Sequence, residues 1–407
     1  MGQPQDEPSA GRFSEIVAVF LKLGATAYGG PAIMGIMQAE LQERRQWVSK
    51  ERFLEGLSLV NMLPGAAATQ LAIFLGHARG GGWGGLLAGL CFVLPAFAIM
   101  LALTLGYASY GATPLMSGAL HGLGPVVLAV FVVALYRLGK TAVAGAAQWG
   151  MGLAAALAAA LGALGIVQIL ALAGALGVLL FHSRARGALV LGALVALFAL
   201  LHWLPATSAG LAPSLVAPGG AGEAPGLAAI GAFFLKVGAF SFGGGLTLIA
   251  FIQEQVVNQR QWLSQREFID GLALGQFTPG PILMVSAYVG YKLAGIAGAA
   301  VAALAIFLPA FVLMLSLLPV IARTRKLPWT KAAMKGIAAA VIGVLAVSLA
   351  RMAPHAVPDL FAAVLFAGSV AALLAWKTGP LKLVVLGAAI GALRDRLLAL
   401  PGIRAML

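Results

Sequence analysis

The sequence contains an internal repeat. Residues 20–31, FLKLGATAYGGP, return as residues 234–245, FLKVGAFSFGGG, which is 214 residues later in a chain of 407. A repeat constrains the fold strongly, because both copies are expected to adopt related structures. The chain is therefore predicted to consist of two similar halves.

The repeat extends beyond these two segments. The segment LPAF at residues 94–97 recurs at residues 308–311, again 214 residues later. At an offset of 215, five residues of the first half recur in the second: Trp47, Phe53, Gly56, Pro64 and Gly65 match Trp262, Phe268, Gly271, Pro279 and Gly280. We divide the chain into an N-terminal repeat (1–203), a linker with one ionisable residue (204–225) and a C-terminal repeat (226–407).

Composition places the chain in a membrane. It is 61% hydrophobic and only 10% charged, whereas soluble domains are about 25% charged. The net charge of +13 comes from basic residues in short loops between apolar segments. Such residues orient a membrane protein, so no nucleic-acid partner is expected. The single Cys91 excludes a disulfide framework, the histidines are scattered, and neither a metal nor a cofactor is predicted.

Glycine and proline pairs interrupt the apolar segments at matching places in both halves. The segment at residues 50–62 follows a predicted N-cap, Ser49, and is too short to cross a bilayer of ~30 Å. Its copy begins with the capping-box pattern of Ser264 and Glu267. We therefore predict an all-α polytopic membrane protein. Each half opens with two Gly/Pro-broken re-entrant helical hairpins, and full transmembrane helices follow. The glycine-rich residues 80–85 are predicted to form a tight turn.

Charge distribution predicts that the two halves are inverted relative to each other. The loop at residues 107–120 has no charged residue, whereas the matching loop carries Arg323, Arg325, Lys326 and Lys331. By the positive-inside rule, the first loop faces out and the second faces in. The N-terminus is then cytoplasmic. An inverted repeat requires an odd number of membrane crossings between the two copies, and an additional helix within residues 188–203 makes that number odd. Arg394 and Arg396 conflict with an external C-terminus, so its side stays open.

Four half-helices are predicted to begin at membrane depth, after Gly30, Gly65, Gly244 and Gly280. A helix start directs unpaired N–H groups and a positive dipole end at whatever occupies the gap, which favours an anion. Hydrogen-bonding side chains near the breaks are candidate ligands: Tyr28, Asn61, Thr69 and Gln70 in the first half, and Ser241, Gln276, Thr278 and Ser286 in the second. For Thr278 and Ser241, helix capping is an equally good interpretation.

Two lysines and two acids occupy matching positions. Lys22 and Lys236 lie in apolar stretches, where a lysine is a candidate for function. The alternative is that each reaches the interface or pairs with Glu15, Glu55 or Asp270. Glu55 and Asp270 are candidate coupling residues, but the favoured interpretation pairs them with the nearby Arg52 and Arg266.

Taken together, these segments resemble the chromate ion transporter family in its long-chain, two-domain form. The resemblance rests on FLKLGATAYGGP, EGLSLVNMLPG and FVLPAF, then on FLKVGAFSFGGG, DGLALGQFTPGP and IFLPAF, and it spans about residues 13–400. The family positions carried over are Gly29, Gly30, Pro31, Pro64, Gly65, Gly243, Gly244, Pro279, Gly280 and Pro281. The first half departs from the pattern with Ala66 where the second has Pro281.

The resemblance implies a multi-pass protein of a bacterial-type inner membrane that exports chromate and meets sulfate as a dianion of similar shape. Membrane potential, a proton gradient or both would drive the export. Two alternatives stay open: an exporter of another oxyanion or a small carboxylate, and a membrane-embedded chromate reductase. The partners expected are chromate, sulfate as a look-alike, and membrane lipids. The sequence leaves the oligomeric state open, with a homodimer as one option.

Overall fold

The structure is a computed structural model. It describes residues 9–27, 31–110, 113–143, 145–162, 164–203, 225–240, 246–324, 328–376 and 378–398. Within these ranges the regular elements are all helical. Helices α1–α8 are Ser9–Thr26, Pro31–Met37, Lys50–Met62, Ala67–Tyr110, Pro114–Ala142, Ala146–Leu161, Ile166–Phe181 and Arg184–Trp203. Helices α9–α15 are Leu227–Ala239, Leu246–Gln253, Gln265–Phe277, Val285–Thr324, Pro328–Ala356, Leu360–Ala375 and Pro380–Leu398.

The same local structures recur in both halves. Helices α2 and α10 each continue into a π-helical segment, Gln38–Arg44 and Glu254–Gln259. Gln46 and Gln261 follow these segments with left-handed φ angles of 53° and 52°. The predicted caps are confirmed: Ser49 accepts a bond from the Arg52 amide, and Ser264 forms a capping box with Glu267. Local backbone chemistry is therefore repeated along with the sequence.

The glycine-rich turn of the first half is confirmed. Gly81 has a φ of 63° inside α4, and the chain reverses there, because Gly76 packs on Gly84 and Gly89 lies against Ile73. Helix α12 turns in the same way at Gly295, whose φ is 60°. Helices α4 and α12 are therefore helical hairpins rather than single rods.

Four helices of the described chain are long and apolar enough to cross a membrane. They lie at Ala67–Tyr110, Met116–Lys140, Ile282–Ser316 and Ala332–Ala356. The additional helix predicted within residues 188–203 is present as α8, which packs on α7 where Gly187 meets Leu179. These helices agree with the predicted all-α membrane protein.

The two halves pack into each other. Helix α5 of the first half contacts α14 and α15 of the second, and α13 contacts α6 and α7 of the first. The closest backbone approaches are at small residues, which allow the helices to touch. They form two sets related by the repeat: Gly118 with Gly391 and Gly122 with Gly387, then Ala332 with Gly177 and Gly336 with Ala173.

Two repeat-related arginines make reciprocal contacts between the halves. Arg137 donates to the carbonyl oxygen of Leu373 at 2.6 Å, and Arg351 donates to that of Ala159 at 3.0 Å. Each arginine is 214 residues from the other, and so are the two carbonyls. Such an exchange of roles is what a two-fold relation between similar units produces.

Candidate functional site

The Pro-Gly break of each half lies against the other half. Gly65 is buried with a φ of 127°, and a methyl group added there would lie 3.4 Å from Ala310. Gly280 is buried with a φ of 87°, and the same addition would lie 2.8 Å from Ala96. Ala96 and Ala310 are matching residues of the two LPAF segments. The breaks therefore occupy related places at the contact between the halves.

The second break also bonds to the first half through its backbone. The Gly280 amide donates to the carbonyl oxygen of Ala27, at the end of α1, at 2.7 Å. In this arrangement the Gly280 N–H is already satisfied. An anion can use this amide only after Ala27 has moved away.

Two predicted ligands of the first half are fully buried beside its break. Gln70 donates from Nε2 to the carbonyl oxygen of Pro64 at 2.7 Å, which closes the break on itself. Among the described residues, Gln70 Oε1 and the hydroxyl of Thr69 have no hydrogen-bond partner. Buried polar atoms without partners are uncommon and costly, so these two groups are available to a ligand.

The predicted ligands of the second half differ. The Thr278 hydroxyl lies 3.0 Å from the Leu274 carbonyl oxygen and 3.2 Å from Met100 Sδ, as the capping interpretation describes. Gln276 is half-buried, and Pro279 and Pro281 are buried. The hydroxyl of Ser286, which follows the break, is buried without a partner among the described residues.

Other predicted positions are not described. Tyr28, Gly29, Gly30, Ser241, Gly243 and Gly244 lie outside the described residues. Pro31 begins α2 and Asn61 lies in α3, but their side chains are outside the described part. The two glycine-pair breaks therefore stay predictions from the sequence.

Both lysines are exposed. Lys22 lines a groove of about 290 Å³ between α1 and the π-helical segment, together with Glu15, Glu40 and Arg45. Its predicted partner Glu15 instead binds Arg45 at 2.9 Å and Arg79 at 3.0 Å. Hydrogen bonds from Arg45 hold the pKa of Glu40 below its usual value. The Lys22 ammonium is therefore left facing the groove.

The second lysine sits in a different charge environment. Lys236 is exposed on α9, and the position that matches Glu15 is occupied by Ala229. Arg260, which matches Arg45, lies over the rings of Phe233 and Trp262 at 5.6 and 4.8 Å. The two halves therefore share the lysine and the arginine here, but the second half has no acid at the position of Glu15.

The two coupling candidates lie in contrasting environments. Glu55 pairs with Arg52 at 3.2 Å, as the favoured interpretation expected, and both side chains are partly exposed. Asp270 is only 6% exposed, and the Tyr107 hydroxyl donates to it at 2.9 Å. The expected pairing of Asp270 with Arg266 is wrong, because no ion pair joins them in the described residues. Sequence reasoning missed Tyr107, whose one signal was a tyrosine in an apolar segment.

A second polar cluster joins three helices of the bundle. Asp359 caps α14, accepting from the Ala362 amide at 2.7 Å, and lies 2.9 Å from Arg394 and 3.3 Å from His121. The Ala362 bond and the Arg394 guanidinium lower the pKa of Asp359. This cluster was not predicted, because its members are far apart in sequence.

Comparison with known proteins covers both halves. The family model for chromate transporters matches residues 14–179 and 228–392. A chromate transport protein of Cupriavidus metallidurans is 34% identical over 95% of this chain and 96% of its own length. A probable chromate transport protein of Synechococcus elongatus is 33% identical over 92% of this chain and 94% of its own. A chromate transport protein of Pseudomonas aeruginosa is 34% identical over 90% and 88%, respectively. No solved structure matches.

These relatives are transport proteins rather than enzymes, and they are matched along almost their whole length. The chain therefore belongs to the chromate transporter family.

Proposed function

We propose that this multi-pass membrane protein exports chromate across the inner membrane by alternating access. One repeat rocks on the other around a site between them. The observation that carries this proposal is the reciprocal packing of the Pro-Gly breaks, Gly65 against Ala310 and Gly280 against Ala96. A hinge-like contact of this kind is what two rocking units would share. The substrate follows from the matched relatives, which are named chromate transport proteins.

We propose further that the two repeats are inverted. Helix α5 and its counterpart α13 run in opposite directions. The start of α5 lies beside the end of α13, because His121 near the start of α5 is 3.3 Å from Asp359 just after α13. Gly124 of α5 likewise packs against Ala356, the last residue of α13. Equivalent helices that run in opposite directions support a pseudo-two-fold axis in the membrane plane. Arg394 lies 2.9 Å from Asp359, which supports a C-terminus on the outer side.

The short helices support re-entrant hairpins. Helices α3, α9 and α11 have 13 residues each, or about 20 Å at 1.5 Å per residue. The hydrocarbon core is about 30 Å thick, so none of the three crosses it alone. The short helices at the start of each half would then enter the membrane and return to the same side, as re-entrant hairpins do, before the long helices begin. The opposite charge of the matching loops places these entries on opposite sides.

The anion would bind where the breaks meet. Thr69 and Ser286 supply buried hydroxyl donors without partners among the described residues, and Lys22 and Lys236 supply positive charge. The unpartnered atom of Gln70 is Oε1, an acceptor, so Gln70 donates to an anion only when its Nε2 leaves the Pro64 carbonyl oxygen. A tetrahedral dianion suits several donors and a cation, since charge-assisted hydrogen bonds are the stronger kind. Because Gly280 is bonded to Ala27, the arrangement seen is one in which this part of the site is closed.

Membrane potential alone favours export of a dianion. Moving one charge is worth about 2.3 kcal/mol per 100 mV, so a dianion leaving a negative interior gains roughly 4–5 kcal/mol. That energy supports a concentration gradient on the order of 10³. Proton coupling is therefore not required for export, although it is compatible with it.

Efflux measurements test the proposal. Membrane vesicles loaded with chromate should lose it faster with the wild-type protein than without it. We expect Lys22→Met and Lys236→Met each to abolish this efflux while the protein stays folded, because each removes a cation from the anion path. Lys50→Met, at an exposed position outside the groove that Lys22 lines, is the control. Unchanged efflux in both variants would remove these lysines from the site.

Competition identifies the substrate. If chromate is the cargo, sulfate loaded into the vesicles together with labelled chromate should slow the efflux less than unlabelled chromate does, and malonate should not slow it. Stronger competition by molybdate or malonate would favour an exporter of another oxyanion or a small carboxylate. A chromate reductase is excluded by the family, whose matched members are transport proteins.

A further inference from the structure

Asp270, Tyr107 and Tyr288 form a buried polar cluster inside an apolar bundle. The Tyr107 hydroxyl donates to Asp270 Oδ2 at 2.9 Å, and its ring meets that of Tyr288 edge-on at 5.9 Å. Asp270 is 6% exposed and Tyr288 is fully buried. The Tyr288 hydroxyl has no hydrogen-bond partner among the described residues. A buried carboxyl group in such surroundings is costly to keep and is a candidate for function.

The other half of the protein shows that the fold does not require this cluster. The matching positions are Glu55, Phe74 and Ile321, so both hydroxyl groups are absent there. Glu55 is partly exposed and pairs with Arg52, whose guanidinium also lies over the ring of Phe74 at 5.1 Å. At this place the first half therefore has an exposed ion pair, and the second half has a buried acid bonded to a tyrosine hydroxyl.

No cation neutralises Asp270 directly in the described structure. Arg266 and Lys292 lie nearby, but the Lys292 ammonium is 2.7 Å from Glu267, which also binds Ser264. On the other helices packed against α11, four charged groups have partners elsewhere: His121 of α5 and Arg394 of α15 lie on Asp359, Arg351 of α13 lies on Glu254, and Arg79 of α4 lies on Glu15. His77 of α4, His355 of α13 and Lys382 of α15 form no ion pair with Asp270 among the described residues. The immediate partner of Asp270 is therefore a hydroxyl group, and a carboxyl group so placed can exist with or without its proton.

The cluster shares its helices with the second break. Asp270 lies eight residues before Thr278 on α11, or about 12 Å along the helix axis. Tyr107 belongs to α4, whose residues Ala96 and Met100 contact Gly280 and Thr278. The Tyr107–Asp270 bond consequently ties the first half to the same helix that leads into the break. A change in the charge of Asp270 would alter the electrostatic potential at the break, and it would also alter the hydrogen bond between Tyr107 and Asp270 that links the two halves there.

We propose that Asp270, hydrogen-bonded to Tyr107, is a proton-binding site that takes up a proton when a dianion occupies the Pro279–Gly280 break on the same stretch of chain. This proposal rests on the proposed function. A dianion repels an ionised carboxylate and therefore favours its neutral form. We assign no such role to Glu55, because it is partly exposed and forms an ion pair with Arg52.

The test measures chromate binding and proton uptake separately on the purified full-length protein in detergent. Binding is followed by equilibrium dialysis with labelled chromate, and protons by a pH indicator in weak buffer, with a protein-free blank subtracted. We expect the wild type to take up about one proton per chromate bound, and its affinity to tighten as pH falls. Asp270→Asn should bind chromate without proton uptake and with an affinity that no longer depends on pH. Glu55→Gln, changed at the repeat-related position, should keep the wild-type proton uptake.

The outcomes separate this inference from the proposed function. A wild type that binds no chromate would contradict the proposed function itself. A wild type that binds chromate, together with an Asp270→Asn variant that takes up protons as before, would overturn the inference alone. If Asp270→Asn does not fold, Tyr107→Phe decides, because it keeps the carboxyl group and removes a hydrogen bond that favours its ionised form. Its proton uptake should then occur at higher pH, and an unchanged pH profile would overturn the inference.

Discussion

Gly280→Ala should abolish chromate efflux and lower the thermal stability of the protein. Gly280 has a φ of 87°, and an added methyl group would lie 2.8 Å from the Ala96 side chain. The left-handed conformation costs a non-glycine residue roughly 1–2 kcal/mol, and overpacking a tight contact adds typically 1–3 kcal/mol. Shifting this residue would also disturb its bond to Ala27. Efflux from vesicles and a melting curve in detergent measure the two effects.

Gly295→Ala is the matched control for Gly280→Ala. Gly295 also has a positive φ, 60°, but nothing lies within 4 Å of a methyl group added there. Its φ of 60° and ψ of −151° form a conformation that essentially only glycine adopts, so Gly295→Ala should lower the melting temperature through the backbone alone and should retain efflux. Efflux lost equally in both variants would mean that transport does not depend specifically on the contact between Gly280 and the first half.

Arg351→Met should destabilise the contact between the halves. Arg351 forms an ion pair with Glu254 and donates to the carbonyl oxygens of Ala159 and Ala160. Its removal leaves the Glu254 carboxylate without its cation. Hydrogen bonds to charged groups are each worth about 1.5–3 kcal/mol, and the partial exposure of both side chains argues for the lower end of that range. A fall of several degrees in melting temperature is expected.

A double substitution tests the cause of this loss. Arg351→Met combined with Glu254→Gln removes the stranded charge, so the pair should be more stable than Arg351→Met alone. The stability that the double variant still lacks relative to the wild type would measure the hydrogen bonds from Arg351 to the two carbonyl groups. If the second substitution gives no recovery, the Arg351–Glu254 ion pair contributes little, and the effect belongs to the carbonyl contacts.

Much of the local structure could be predicted from the sequence. The caps at Ser49 and Ser264 and the turn at Gly81 were predicted because they depend on residues a few positions apart. The exposed pair of Glu55 and Arg52 was predicted for the same reason, since the two residues are one helical turn apart. The pairing of Asp270 was predicted wrongly, because its partner Tyr107 is 163 residues away and comes from the other half.

The candidate site divides in the same way. The sequence indicated that Gly65 and Gly280 break the chain, since proline and glycine act on their own backbone. It did not indicate that Gly280 would bond to Ala27, or that Thr69 and Ser286 would be buried without partners. Those features depend on how helices far apart in the chain approach each other, which local propensity does not encode.

The sequence by itself determined that this protein is a duplicated, helical membrane protein whose apolar segments are broken at matching places. Composition, repeat spacing and turn chemistry are properties of short stretches, so they can be read without a fold. Only the tertiary structure decided that α5 and α13 are each completed by helices of the other half, and that one acid of a matched pair is buried while the other faces an arginine. The physical reason is that burial and pairing depend on which distant surfaces meet, and duplicated helices meet different neighbours once their side chains have diverged.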